Sequence, residues 1–226
     1  MRKKKVVHWK KAVFSLLALF FVFCGAVLLW ASIIKLPDIY TFEARKIANS
    51  SRITDRTGEI ILYDINRSVR RSEVPLSEMG ENIKNAVISI EDVHFYTHKG
   101  IRPTSIVRAI LINISSGSFS QGGSTITQQI IKNTLLNKNK TVTRKFKEWV
   151  LSIKLERQFT KDEILQIYLN DAPFGSTIYG VEEASLAFFK KKSKDISVAE
   201  AAYLAAMIPA PTYYSPFGKH RAQLDA

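Results

Sequence analysis

With one cysteine, four histidines and no G-x-S-x-G elbow, P-loop or glycine-rich dinucleotide fingerprint, the 226 residues are short of the usual reactive groups. The single Cys24 excludes an intramolecular disulfide, so any folded body must be stable without one. His94 and His98 share a short segment, but no cysteine or further histidine stands at the spacing of a zinc site. Serine-hydrolase, nucleotide-binding and zinc chemistry therefore have no footing in the motifs. Internal repeats and low-complexity tracts are also missing. Most telling is a stretch without charge: nothing between Ala12 and Ile34 is ionisable as an acid or a strong base.

That uncharged run is long enough for a transmembrane helix, which needs roughly 20 apolar residues. Arg2, Lys3, Lys4, Lys5, Lys10 and Lys11 precede it; Lys35, Asp38 and Glu43 follow with weaker, mixed charge. Cationic flanks stay in the cytoplasm, so the expected order is a basic cytoplasmic tail over 1–11, one membrane span over 12–34 and an extracytoplasmic body. A cleaved signal peptide has a shorter apolar core and a small-x-small site, and Ile33-Ile34-Lys35 is a poor one. A lipoprotein site at Cys24 is opposed by the bulky Phe23 before it, and Cys24 reads as an apolar residue of the span. Removing the six basic residues of the tail from the net charge of +13 leaves +7 on the remainder. A basic body outside a membrane fits anionic headgroups or a phosphorylated substrate. Nucleic acid, the other usual partner of a basic chain, is not expected in that compartment.

The body is expected to be mainly α. Residues 35–74 read as a linker and a small β-hairpin, Ser51 to Tyr63 alternating around Thr57-Gly58, followed by a basic loop from Arg67 to Arg71. From 75 to 226 the pattern is helical and forms one domain. Ile83, Val87 and Ile90 mark a core-facing stripe leading to Glu91. Pro103 opens an apolar helix over about Thr104–Ser115, suited either to a core or to lipid. A polar loop over Ser115–Gly123 precedes Ser124-Thr125, which can cap a helix running to about Leu136. Further helices are expected over about Thr143–Phe159, after the capping box Thr160-Lys161-Asp162-Glu163, and after a second box at Ser197–Glu200, this last one stopped by Pro209. Arg221–Ala226 looks like the start of another helix with no terminator, as expected of the N-terminal part of a longer chain.

Three segments could carry chemistry. Glu91 and Asp92 end an apolar helix face, where the helix dipole disfavours acids and where desolvation could raise a glutamate towards a general base. The bland alternative is a solvated helix end. Gly122 to Asn133 puts glycines and hydroxyls at a helix start, suited to phosphate, with Gln128, Gln129 and Lys132 as further donors. The bland alternative is an ordinary capped helix. Arg144, Lys145 and Glu148 crowd one helical face, with Phe146, Val150 and Ile153 expected on the core side. That cluster is either surface ion pairing, worth little, or a carboxylate held ionised beside a phosphate site.

Taken in order, Glu91-Asp92-x-x-Phe95-x-x-His98-x-Gly100, Gly122-x-Ser124-Thr125-x-Thr127-Gln128-Gln129-x-x-Lys132-Asn133 and Arg144-Lys145-x-x-Glu148 resemble the motifs of the peptidoglycan glycosyltransferase domain (glycosyltransferase family 51) of class A penicillin-binding proteins and monofunctional transglycosylases. Lys161–Asn170 and Ala201–Pro216 add two more in register. Lys140 replaces a commoner arginine, Asp171-Ala172-Pro173 a commoner aromatic stretch, and Ala187–Lys190 lacks the usual glycine.

The resemblance implies a lysozyme-like helical fold and polymerisation of lipid II into glycan, with inversion and release of undecaprenyl pyrophosphate. It implies Glu91 as base towards the acceptor hydroxyl and Glu148 as the group assisting departure of the pyrophosphate. It puts Ser124, Thr125, Gln128, Gln129, Lys132, Asn133, Lys140, Arg144, Lys145 and Lys147 on the substrate, and Asp92, Phe95 and His98 in support of Glu91. No cofactor is required, though Glu148 could hold Mg or Mn. The implied partners are lipid II, the lipid-linked glycan, the membrane and other cell-wall synthesis proteins. The rival readings are a lysozyme-like lytic enzyme acting on finished glycan, or an inactive cell-wall scaffold.

Overall fold

Four helix starts in this chain are written into hydroxyl residues, Thr125, Thr141, Thr160 and Ser197, and the computed structural model shows these caps closed. It describes residues 2–36, 52–54, 56–57, 61–64, 70–116, 123–134, 141–175 and 177–214. Helix α1 spans Arg2–Ile33. A bulged antiparallel hairpin pairs β1 (Arg52–Thr54) with β2 (Ile61–Asp64), matching the expected one. Strand β3 (Arg70–Arg71) follows, then a single 3₁₀ turn at Leu76–Glu78, and helices α2 (Glu81–Glu91), α3 (Pro103–Ser116), α4 (Ile126–Thr134), α5 (Val142–Gln158) and α6 (Lys161–Asp171). Strand β4 (Ile178–Tyr179), α7 (Val181–Phe189) and α8 (Val198–Met207) complete the described elements. Thr160 with Glu163 and Ser197 with Glu200 form the two reciprocal capping boxes, and Thr141 caps α5. Thr125 and Gln128 make a third: the Thr125 hydroxyl accepts from Gln128 N at 3.2 Å, and Gln128 Oε1 accepts from Thr125 N at 3.3 Å. The expected helix over Arg221–Ala226 and most of the linker lie outside the described residues.

The core is helical. α2 packs against α8, and α4 sits between α5 and α6. Ile83, Ile126, Ile131, Leu155, Ile164, Leu165, Leu169 and Leu204 are fully buried at its centre. Two stripes differ from expectation, for one reason. On α2, Ile83 and Val87 face inward, but Ile90 is 50% exposed. The inward positions run i, i+4, i+8, so Glu91 takes the slot that Ile90 was expected to fill. On α5 the buried side is Glu148, Leu151, Ser152 and Leu155, whereas Phe146 is 46% exposed and Val150 and Ile153 only half-buried. The charged face is the inner one, because α4 packs over it. Each glutamate thus occupies a position that the helix period assigns to a hydrophobic residue.

Arg70 and Arg71 do not lie in a loop. They form β3, parallel to β4, with Arg70 opposite Ile178. Arg71 Nη1 is 3.1 Å from Asp171 Oδ1 and so neutralises an acid at the C-terminal turn of α6, where the dipole disfavours one. Asn170 Oδ1 accepts from Val74 N at 3.1 Å and its Nδ2 donates to Val74 O at 3.0 Å, while Gln166 Oε1 accepts from Leu76 N at 2.8 Å. Two polar residues of the Lys161–Asn170 motif therefore fasten the segment entering the domain.

α1 is long and apolar enough over Trp9–Ile33 to cross a bilayer, and none of that window is covered by the rest of the chain. Its C-terminal end is held: Lys154 of α5 donates to the Ser32 carbonyl at 3.3 Å and to the Ile34 carbonyl, satisfying acceptors that the helix itself leaves open. Ile34 and Leu36 pack against the core. α3 leaves a second apolar stripe uncovered, with Val107, Leu111 and Ile114 exposed beside a shallow groove of about 570 Å³.

Candidate active site

Glu91 is the last residue of α2 and Asp92 its C-cap. Asp92 is not left on the unfavourable end of a helix dipole. Its buried Oδ2 accepts from Ile126 N, the first amide of α4, at 3.2 Å, where negative charge is favoured. The same oxygen accepts from His98 Nε2 at 2.7 Å, and His98 Nδ1 accepts from Gly100 N at 3.1 Å. The ring thus bridges the Asp92 carboxylate to the Gly100 amide. Arg102 Nη1 stands 3.5 Å from Asp92 Oδ1. Phe95 is buried under this turn, edge-on to Tyr96 and His98, with Lys161 Nζ 4.5 Å above its ring. The three supporting residues therefore build the turn that follows Glu91.

The turn is locked to two other helices. Thr125 Oγ1 donates to Gly100 O at 2.7 Å. Gly100 has φ +90°, and a Cβ there would stand 2.7 Å from the Ser152 carbonyl oxygen of α5. Gly123 is as close to α3, where a Cβ would meet Ser105 O at 2.8 Å. Glycine at position 100 is therefore dictated twice, by conformation and by space. Gly100→Ala is expected to cost at least about 1–3 kcal/mol from the backbone conformation alone, and to separate the first motif from α5. A thermal melt and a turnover assay should both fall; an unchanged melt would mean the contact is not needed.

Glu91 faces α4. Its Oε2 accepts from Gln129 Nε2, and Gln129 Oε1 accepts from the Tyr168 hydroxyl at 3.2 Å. Its Oε1 is buried and has no hydrogen-bond partner. Burial pushes the Glu91 carboxyl above its ordinary value, and Asp92 adds to this; the Gln129 donor and the Lys132 charge pull it partly back.

The second pole lies across α4 and α5. Glu148 is buried, accepts from Lys145 Nζ, and has Arg144 Nη1 3.8 Å from Oε2. Lys145 Nζ also donates to Ser124 Oγ at 2.8 Å. Lys132 feels both glutamates: desolvation lowers its pKa, with Lys145 and Arg144 lowering it further and Glu148 and Glu91 opposing. Glu91, Gln129, Lys132, Ser124, Arg144, Lys145 and Glu148 thus converge.

The other expected substrate contacts do not converge with them. Thr125 and Gln128 are buried beneath the site, where they cap α4 instead of lining a wall. Asn133 and Lys147 are exposed on the helix flanks. Lys140 lies outside the described residues. Glu148, the one residue considered for a divalent cation, is already engaged by cations. Among the described residues no group of three His, Cys, Asp or Glu side chains is placed to hold a metal. With Lys145 and Arg144 against its carboxylate, Glu148 does not present a donor set that suits a divalent ion.

Sequence reasoning missed Tyr168, Glu156 and Arg102. Glu156 joins the motifs, accepting from Thr127 Oγ1 at 2.6 Å and from Lys161 Nζ at 2.7 Å. Its signal was available: it falls on the same inward stripe of α5 as Glu148, eight residues later.

Residues 58–225 match the family model described as transglycosylase. The chain is 40% identical over 210 residues to penicillin-binding protein 1A of Aquifex aeolicus (strain VF5), covering 92% of this chain and 29% of that protein. It is 41% identical over 194 residues to penicillin-binding protein 1F of Bacillus subtilis (strain 168), covering 84% and 27%. Against penicillin-binding protein 1A of Neisseria gonorrhoeae it is 37% identical over 223 residues, covering 95% and 28%. The chain therefore spans under a third of the length of these relatives.

Proposed function

The chain belongs to the transglycosylase family, the glycosyltransferase domain of class A penicillin-binding proteins, and from that premise we propose that it polymerises lipid II into peptidoglycan glycan strands. The observation that carries this reading is the pairing of two carboxylates in opposite surroundings. Glu91 is desolvated; Glu148 is ringed by Lys145, Arg144 and, at longer range, Lys132.

The chemistry divides between them. The acceptor is a neutral sugar 4-hydroxyl, which needs a base; the Glu91 carboxylate takes its proton. The hydroxyl oxygen forms a bond to the anomeric carbon at the reducing end of the growing chain. The bond from that carbon to the pyrophosphate oxygen breaks, with inversion. The electron pair leaves on undecaprenyl pyrophosphate, a good leaving group that needs cations more than an acid. Lys132, Lys145 and Arg144 neutralise it, and Glu148 holds Lys145 and Arg144 in position. A lytic enzyme acting on finished glycan has no comparable anion to neutralise, so three convergent cations favour the polymerase. An inactive scaffold has no need of two glutamates in hydrophobic slots.

In this reading α1 is a single membrane span with the basic tail in the cytoplasm and the domain outside. The exposed stripe of α3 meets lipid, which keeps the cleft at the leaflet where a lipid-linked substrate lies. Other cell-wall synthesis proteins are the expected partners, and nucleic acid is not one. The test is a pair of assays on the purified chain in detergent or vesicles. Labelled lipid II should be converted to glycan. Digestion of finished glycan with no use of lipid II would establish the lytic enzyme instead.

A further inference from the structure

Tyr168 is 4% exposed, sits on α6 and reaches Glu91 only through the side chain of Gln129. The geometry points to Tyr168 as a positioning residue for the base: by donating its proton to Gln129 Oε1, it holds the Gln129 amide with Nε2 turned to Glu91. This rests on Glu91 being the base.

A glutamine amide has nearly the same shape either way round, and only its neighbours decide which end is which. An ionised Glu91 requires the donor end. The carbonyl end then points into a buried place where it too needs a donor, and the Tyr168 hydroxyl is the one that meets it. Burial and the Glu91 charge hold the Tyr168 pKa well above its ordinary value, so the hydroxyl keeps its proton over the working range. The consequence falls on the carboxylate: with Oε2 held by the Gln129 amide, its rotation and its place beside α4 are fixed. The other charged groups facing Glu91 are Asp92 beside it and Lys132 from α4; Glu148, Lys145 and Arg144 of α5 act on Lys132. None of them can replace Tyr168, because none supplies a donor to the Gln129 carbonyl.

Tyr168→Phe keeps the ring and removes the donor. The Gln129 carbonyl is left unsatisfied and the amide turns or withdraws. Glu91 then loses a hydrogen bond that favours its ionised form, so its pKa rises further. The acid limb of the kcat/KM profile for lipid II should move to higher pH by about one unit, with the plateau kcat reduced by only about threefold or less. Gln129→Leu should move the limb at least as far. The double variant should move it no further than Gln129→Leu alone, since the hydroxyl acts through the amide.

A limb that stays in place in a Tyr168→Phe protein with an unchanged melt overturns the inference, as do shifts that simply add. A lowered plateau without a displaced limb would assign Tyr168 a packing role only. Turnover retained by Glu91→Gln would instead remove the base assignment itself, so the two failures are separable.

Discussion

Glu91→Gln is expected to lower glycan polymerisation by about 10³-fold in kcat, in line with the loss of a positioned general base, while the protein becomes more stable at neutral pH. The substituted amide has the same shape and can still accept from Gln129 Nε2, so the site keeps its geometry. It cannot take the acceptor proton. The stability gain follows from the direction of the Glu91 shift. Burial raises the folded-state pKa above the ordinary 4.5, so the folded protein binds the proton more tightly than the unfolded chain does. The stability linked to that proton is fully present below pH 4.5 and is lost as pH rises through the raised value. At pH 7 the ionised, desolvated carboxylate therefore works against folding, and its neutral replacement removes that penalty. Thermal melts at pH 7 and pH 4 should show a higher Tm for the variant at pH 7 only. Retained turnover would sink the base assignment; a Tm no higher at pH 7 would sink the desolvation account.

Glu148→Gln should reduce kcat by about 10²-fold, the scale found when one preorganised electrostatic group is removed, without raising KM. Glu148 is the negative member of a cluster with Arg144, Lys145 and Lys132. Neutralising it makes the cluster more positive, so a pyrophosphate binds no less tightly. What is lost is placement: Lys145 Nζ is held between Glu148 and Ser124 Oγ, and the variant releases one side. Glu148 also raises the pKa of Lys132, which desolvation already lowers. Without it, Lys132 loses its proton at lower pH, and the alkaline limb of the rate profile should shift down. Steady-state kinetics across pH would reveal both effects. A raised KM with unchanged kcat would reduce the cluster to a binding site.

Helices α1 to α6 and α8 were legible because caps and periodicity are local; α7, which starts at Gly180 without a side-chain cap, was not. Thr160, Ser197 and Pro103 announce their helices without reference to anything distant. The convergence of the three motifs was legible only as a resemblance, since spacing along a chain does not say which turns meet. The orientation of α5 was misjudged because Phe146, Val150 and Ile153 are more apolar than the side that is buried, and the cover provided by α4 is a tertiary fact. The role of Arg70 and Arg71 was hidden for the same reason: their strand partner lies more than a hundred residues away. Tyr168 was in a recognised motif, yet its donor role depends on an amide contributed by another helix.

The lysine that holds the end of α1 has a metric consequence. Six residues of α5 separate Lys154 from Glu148, a rise of about 9 Å. With α1 in a bilayer, the exit of the span and the cation cluster are therefore joined by a rigid strut. Along α5 the cluster stands about one and a half turns from the lysine that grips the end of the span. Phospholipid headgroups occupy roughly the first 5–7 Å beyond that boundary on each face. In the proposed membrane-bound reading the anchor is a depth gauge: it meters the cations to the level at which a lipid-linked pyrophosphate is carried, so substrate and site are matched in height before they touch.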